Sequence, residues 1–262
     1  MCLIVLAWRV SPAVRLAVAA NRDEFFAREA APAAWWADAP DVFAGRDLRS
    51  GGTWLGVTRS GRFAALTNFR DMSVAKKDAA TSRGALVREF LRMEESAADY
   101  ASRLRAGSGA FEGFNLLLFD GRDLVSYSNV EGAPVVLPPG VYGLSNHLLE
   151  TPWPKVVAAR ERLAEAALAG AAPQNLEASL LALLSDRAVA PDGALPDTGL
   201  PLAWERALSA AFVVLPDYGT RASTAVVVTG ERVRFVERSF GEGGTLLGEV
   251  RETFEVSAAP RA

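Results

Sequence analysis

Cys2 is the only cysteine in the 262-residue chain and follows directly on Met1. Removal of Met1 would leave one residue carrying both a thiol and a free α-amine. That amine titrates at roughly 7.7–8, close enough to neutrality to take the proton from its own side chain. A cysteine with a built-in base is the minimum an N-terminal nucleophile needs. Set before Leu3, Ile4, Val5 and Leu6, the same residue also fits a small buried hydrophobe. The other base available to a nucleophilic Cys2 is His147, the only histidine. It follows Asn146 just ahead of an expected helix start, where it reads as a satisfied polar side chain or as a metal or haem ligand.

Four further polar groups fall at the ends of apolar, β-prone runs. Asn21-Arg22-Asp23-Glu24 follows Arg15 to Ala20, and Thr67-Asn68-Phe69-Arg70-Asp71 follows Arg62 to Leu66. Ser145-Asn146-His147 follows Val141-Tyr142-Gly143, and Tyr218-Gly219-Thr220-Arg221 lies between two apolar runs. Each alone reads as a turn. Together with Cys2 they supply what amide hydrolysis requires: a nucleophile, carboxylate and guanidinium groups to orient it, and amide N–H donors for an oxyanion.

Other chemistries lack their residues. Gly51-Gly52-Thr53-Trp54-Leu55-Gly56 has neither the spacing of a dinucleotide loop nor the Lys-Ser/Thr ending of a P-loop, and reads as a tight turn that packs closely beneath Trp54. No cysteine–histidine cluster offers a zinc site. A net charge of −3 without a basic stripe argues against nucleic acid as a partner. A lone cysteine forms no internal disulfide, which suits a reducing compartment. Arg9 and Arg15 interrupt the apolar start, no basic region precedes it, and no window offers the roughly 18 apolar residues of a membrane span. A cytoplasmic protein without an integral membrane segment is expected, with a small-molecule partner.

The elements that must position these groups alternate in blocks. Hairpins are predicted at Leu3 to Val10 with Arg15 to Ala20, at Gly52 to Val57 with Arg62 to Thr67, and at Phe114 to Phe119 with Leu124 to Ser128 around Asp120-Gly121. Helices are predicted over Ser82 to Met93 and over Ser96 to Leu104, where Ser96 and Asp99 make a capping pair. Two more are expected from a Thr151 cap with Pro152 to Leu168 and from an Asn175 cap to Leu184. Ala188 to Leu202 reads as a loop. Strands return at Ala210 to Leu215, Thr224 to Val228, Val233 to Val236 and Thr253 to Val256. Strands, helices, then strands is not βαβ alternation, and two antiparallel sheets with helices packed against them explain it.

At these residues the chain resembles the NRDE family, whose eukaryotic members are the transport and Golgi organisation protein 2 homologues. The shared blocks are Met1-Cys2, Asn21-Arg22-Asp23-Glu24, Gly52-Thr53-Trp54-Leu55-Gly56, Thr67-Asn68-Phe69-Arg70, Ser145-Asn146-His147 with Thr151-Pro152-Trp153-Pro154-Lys155, and Tyr218-Gly219-Thr220-Arg221. The resemblance implies an α+β fold, a four-layer αββα sandwich like that of N-terminal nucleophile hydrolases, built as one domain over 1–262. It also implies the chemistry of cysteine-type linear amide hydrolases such as bile salt hydrolases and penicillin V acylases, acting on a non-peptide linear amide or related small acyl compound with no cofactor. Carried over residue by residue, Cys2 becomes the nucleophile, Asp23 the carboxylate that orients it, Asn68 and Asn146 oxyanion or supporting groups, and Arg221 the late arginine beside the thiol. Ala20 stands where those hydrolases have an early arginine, and Arg22 lies inside the motif instead. The alternative implied by the same family is a noncatalytic carrier of haem, lipid or acyl-CoA, with Cys2 or His147 as axial ligand to haem and Trp35, Trp36, Trp54 and Trp153 either lining its cleft or filling the core.

Overall fold

The structure is a computed structural model and describes residues 2–72, 81–169 and 172–257. Its elements in chain order are β1 (Cys2–Ser11), β2 (Val14–Phe25), β3 (Ala30–Trp36), β4 (Ala39–Asp47), β5 (Leu55–Thr58) and β6 (Phe63–Asn68). Next come α1 (Gly84–Arg92), α2 (Ala97–Gly107), β7 (Phe114–Phe119), β8 (Leu124–Ser128), β9 (Val135–Val136) and β10 (Gly140–Leu144). The last are α3 (Pro154–Leu168), α4 (Pro173–Leu184), α5 (Leu202–Leu208), β11 (Tyr218–Val228), β12 (Arg232–Phe240) and β13 (Leu246–Glu255). This is a mixed α/β structure with two antiparallel sheets. One runs β10-β1-β2-β11-β12-β13 and the other β3-β4-β5-β6-β7-β8-β9.

Strand alternation sorts most of the apolar residues into three large cores, with a small fourth cluster of Leu208, Val213 and Tyr218. Ile4, Leu6 and Trp8 of β1 and Leu16, Val18 and Ala20 of β2 meet Phe43, Val57, Phe63, Leu117 and Phe119 of the other sheet. Leu3, Val5, Ala17 and Ala19 point the opposite way and pack on α3 and α4 through Val156, Leu163, Leu180 and Leu184. The far face of the second sheet packs on α1 and α2 through Leu86, Phe90, Tyr100 and Leu104. Ser96 accepts from the Asp99 backbone N–H at 3.1 Å, so the capping pair forms as its spacing predicts.

Several expectations need correction. β2 does not stop at Ala20. It continues through Asn21-Arg22-Asp23-Glu24 because Asn21 is satisfied inside the fold, donating to the carbonyls of Leu184 and Ala211 at 2.8 and 2.7 Å and accepting from Ser223 Oγ at 2.6 Å. Tyr218-Gly219-Thr220-Arg221 likewise opens β11 rather than joining two strands. Ala210 to Leu215 forms no strand beyond one bridge between Val214 and Gly219. The hairpin strand expected from Gly52 starts at Leu55, since Gly52 is held in close backbone contact with α1. Helix α3 begins at Pro154 with Trp153 at its cap, and α4 at Pro173 with Ala172, so neither Thr151 nor Asn175 is the cap. β3 and β4 carry no clear strand signal in the sequence, because Ala and Pro in one and charged residues in the other hide their alternation.

Candidate active site around Cys2

The pairing of β1 with β2 sets the site. Cys2 lies directly across from Arg22, so both side chains leave the sheet on one face, the face turned toward the second sheet. The apolar core between the sheets ends here, and a cleft of about 570 Å³ opens. Cys2, Arg22 and Asp23 line it from the first sheet; Asp47, Leu66 and Asn68 line it from the second, with Trp54 and Arg83 beside them. The start of α1 reaches this cleft because Gly52 and Gly84 carry no side chains. A Cβ on Gly52 would lie 2.5 Å from the Gly84 carbonyl carbon, and the Thr53 N–H donates to the Gly84 carbonyl at 3.2 Å.

Cys2 is held through its backbone. Its N–H donates to Asn146 Oδ1 at 3.0 Å and its carbonyl accepts from Ser145 Oγ at 2.8 Å. Asn146, with no solvent exposure, also donates from Nδ2 to the Asn68 carbonyl at 2.9 Å, so one carboxamide ties β1 to the end of β6. The Asn68 carboxamide itself makes no hydrogen bond to a described residue and borders the cleft. Met1 lies outside the described residues. Burial pushes the Cys2 thiol up from its ordinary value; the neighbouring Arg22 charge and a hydrogen bond from the Asp23 backbone N–H act the other way without reversing it. Burial thus favours the neutral thiol over the thiolate at this position.

Asp23 is buried at the end of β2, with Thr220 Oγ1 donating to its Oδ1 at 2.7 Å and Tyr218 OH to its carbonyl at 2.9 Å. Burial raises its pKa, opposed by the charge of Lys155, the Thr220 hydrogen bond and Arg22. Lys155, in the first turn of α3 and 5% exposed, is pushed down by burial and held up chiefly by Asp23. Arg70 completes this side: it pairs with buried Glu205 at 3.2 Å, lies over Trp153 at 4.7 Å, and donates its backbone N–H to the Asn146 carbonyl at 2.7 Å.

Of the residues singled out from sequence, Cys2, Arg22, Asp23, Asn68 and Asn146 converge. Arg221 does not. A bulge between Thr220 and Ala222 displaces it from the β2–β11 ladder. Its guanidinium is spent on the carbonyls of Phe240, Phe25, Phe26 and Arg28 at 3.0–3.3 Å, so it secures the turn after β2 rather than the thiol. His147 also lies off the cleft. Its Nδ1 pairs with Thr151 Oγ1 at 2.9 Å and its ring packs on Phe69 at 4.8 Å. Trp36 and Trp153 are core, Trp35 packs against it, and Trp54 alone of the four lines the cleft. These residues do not fit haem: the lining is charged and polar, and His147 is turned away. A more apolar hollow, between α3, α4 and residues 186–191, holds only about 200 Å³.

Lys155, Glu205, Arg28, Asp47 and Arg83 escaped the sequence reading as site residues. Lys155 carried a signal, since it lies four residues before Ala159 and eight before Leu163 on the apolar stripe of α3, where a charge is out of phase. Glu205 and Arg83 carried none, because exposed and buried charges look alike in sequence.

The family model for Transport and Golgi organisation 2 matches residues 1–242. The chain belongs to this family. It is 40% identical over 260 residues to the transport and Golgi organization protein 2 homolog of Bos taurus and 37% identical to that of Homo sapiens, covering 91% of this chain and 93% of each relative. The Drosophila melanogaster transport and Golgi organization protein 2 is 30% identical over 263 residues. Among solved structures, the Caenorhabditis elegans ortholog of N-acylethanolamine-hydrolyzing acid amidase aligns with a TM-score of 0.49 and 12% identity, over 86% of this chain and 92% of that one. Among the described residues of this Transport and Golgi organisation 2 member, no three metal-ligating side chains converge, and no helix is long and apolar enough to cross a membrane.

Proposed function

We propose that this chain is an N-terminal cysteine hydrolase acting on a linear amide or related small acyl compound, built as one αββα domain over 1–262. The observation that best supports it is the placement of the one cysteine in a polar cleft, with Asp23 and Asn68 beside it and its backbone nitrogen fixed by Asn146. The three cores, one between the sheets and one under each helix pair, support the layered scaffold.

The chemistry requires loss of Met1. The freed Cys2 amine keeps one N–H on Asn146 Oδ1, and its lone pair takes the thiol proton as sulfur attacks the substrate carbonyl carbon. The carbonyl oxygen takes the negative charge, with the Asn68 carboxamide bordering the same cleft as a donor. Collapse of the tetrahedral adduct breaks the C–N bond, and the leaving amine takes the proton from the ammonium. Water then attacks the thioester, the amine again accepting a proton and returning it to the departing thiolate. Asp23 holds the amine in place, and Lys155 and Thr220 hold Asp23.

Intact mass and acylation test this. Protein beginning at Cys2 is mixed with a panel of linear amides, thioesters and lactams, and a one-acyl mass increase at Cys2 is expected. Cys2→Ser should fold normally and lower turnover by at least about 100-fold, the lower end of what a positioned catalytic group supplies. No adduct on protein verified to begin at Cys2 would overturn the reading.

A further inference from the structure

The Arg22 guanidinium faces the cleft, with its side chain largely enclosed by the protein. Its side chain is only 7% exposed, and it donates no hydrogen bond to a described residue. Its ion pairs are long, 3.5 Å to Asp47 Oδ2 and 3.8 Å to Glu24 Oε2. Asp47 is already committed: Oδ1 accepts the N–H groups of Arg49 and Ser50 at 3.1 and 2.9 Å, and Oδ2 accepts Arg28 Nε at 2.6 Å. Glu24 Oε1 accepts the Phe25 N–H at 3.0 Å. Guanidinium carries five donors, and with no protein acceptor within hydrogen-bond geometry among the described residues those of Arg22 open onto the cleft.

The group is also fixed. It lies over the Trp54 ring at 4.5 Å, and its carboxylate neighbours Asp47 and Glu24 stand back at 3.5 and 3.8 Å. It sits across the strand pair from Cys2, so whatever it holds lies beside the thiol. Arg83, across the cleft, is occupied by Glu112 at 3.3 Å and the Gly113 carbonyl at 3.1 Å.

We propose that Arg22 is the receptor for a carboxylate on the ligand, so that the substrate is an acyl amide bearing a carboxylate. A planar fork with free parallel N–H groups matches a carboxylate in bidentate geometry, and a rigid one loses little freedom on binding. This rests on the hydrolase reading for its reaction but not for its binding.

The test separates the two. Cys2→Ala removes turnover, and calorimetry compares monoamides of C4 to C8 α,ω-dicarboxylic acids with the uncharged diamides and with the monoamide methyl esters. The acids should bind at least about 10-fold tighter, the worth of a hydrogen-bonded charged group. Arg22→Gln in that background should abolish the preference, and Arg22→Lys should restore part of it. Should Arg22→Gln fail to fold, the methyl esters decide: esters binding as tightly as acids overturn the proposal, as does a preference that survives Arg22→Gln. Arg22-dependent binding without acylation of native Cys2 would sink the hydrolase reading alone. Equal acylation by acids and diamides would sink this inference alone.

Discussion

Glu237→Gln should stabilise the protein in alkaline solution and leave it nearly unchanged in acid. Glu237 sits in β12 on the face turned toward the second sheet, 2% exposed, where it accepts the Ala33 N–H at 2.8 Å and the Thr224 hydroxyl at 3.3 Å. Burial pushes it from 4.5 up to about 7, and the Ala33 and Thr224 hydrogen bonds and the Arg22 charge are too weak to hold it down. The folded state therefore keeps its proton when the unfolded chain has lost it. Between 4.5 and about 7 the native state binds more protons, so stability falls as pH rises through that window and the loss is complete above it. At about 1.4 kcal/mol per pH unit the displacement amounts to about 3 kcal/mol. Glutamine stays neutral, keeps an acceptor for Ala33 N–H and offers a donor to Thr224. Urea unfolding across a pH series should show the variant about 3 kcal/mol more stable than the parent near pH 8, the two converging near pH 4. A difference that does not change with pH, or a variant weaker at pH 8, would refute the reasoning.

Asn146→Ala removes the acceptor of the Cys2 N–H and the donor to the Asn68 carbonyl at part-buried positions beside the cleft, so a loss of about 1–3 kcal/mol in urea unfolding is expected and no loss would contradict the tie described. Lys155→Met removes the foremost charge that favours the Asp23 carboxylate, so the Asp23 carboxyl resonance in a carbon-13 titration should move to higher pH, with Lys155→Arg reversing part of the movement; a midpoint that stays or falls would show that Lys155 does not act on Asp23.

Local signals settled much of this protein in advance. The apolar run Leu3 to Trp8 and the Asp120-Gly121 turn signal β1 and the β7–β8 hairpin, because a short run apolar at every position suits a strand buried on both faces. Ser96 with Asp99 fixes the start of α2, since a cap is an interaction within one turn. The polar groups at strand ends were visible beside Cys2 in the sequence, and the family resemblance singled out Asp23, Asn68, Asn146 and Arg221 among them, but neither carries the contacts that join them. Asn146 reaches Cys2 across 144 residues, and nothing in the chain near either one encodes that bond. Whether Arg22 or Arg221 faces the thiol was decided by strand register and one bulge, because a shift of one residue turns a side chain to the other face. The continuation of β2 through four polar residues was likewise a tertiary matter. Polar residues end a strand when they need water, and Asn21 and Asp23 find their partners in helix ends and in a neighbouring strand that only the folded chain supplies.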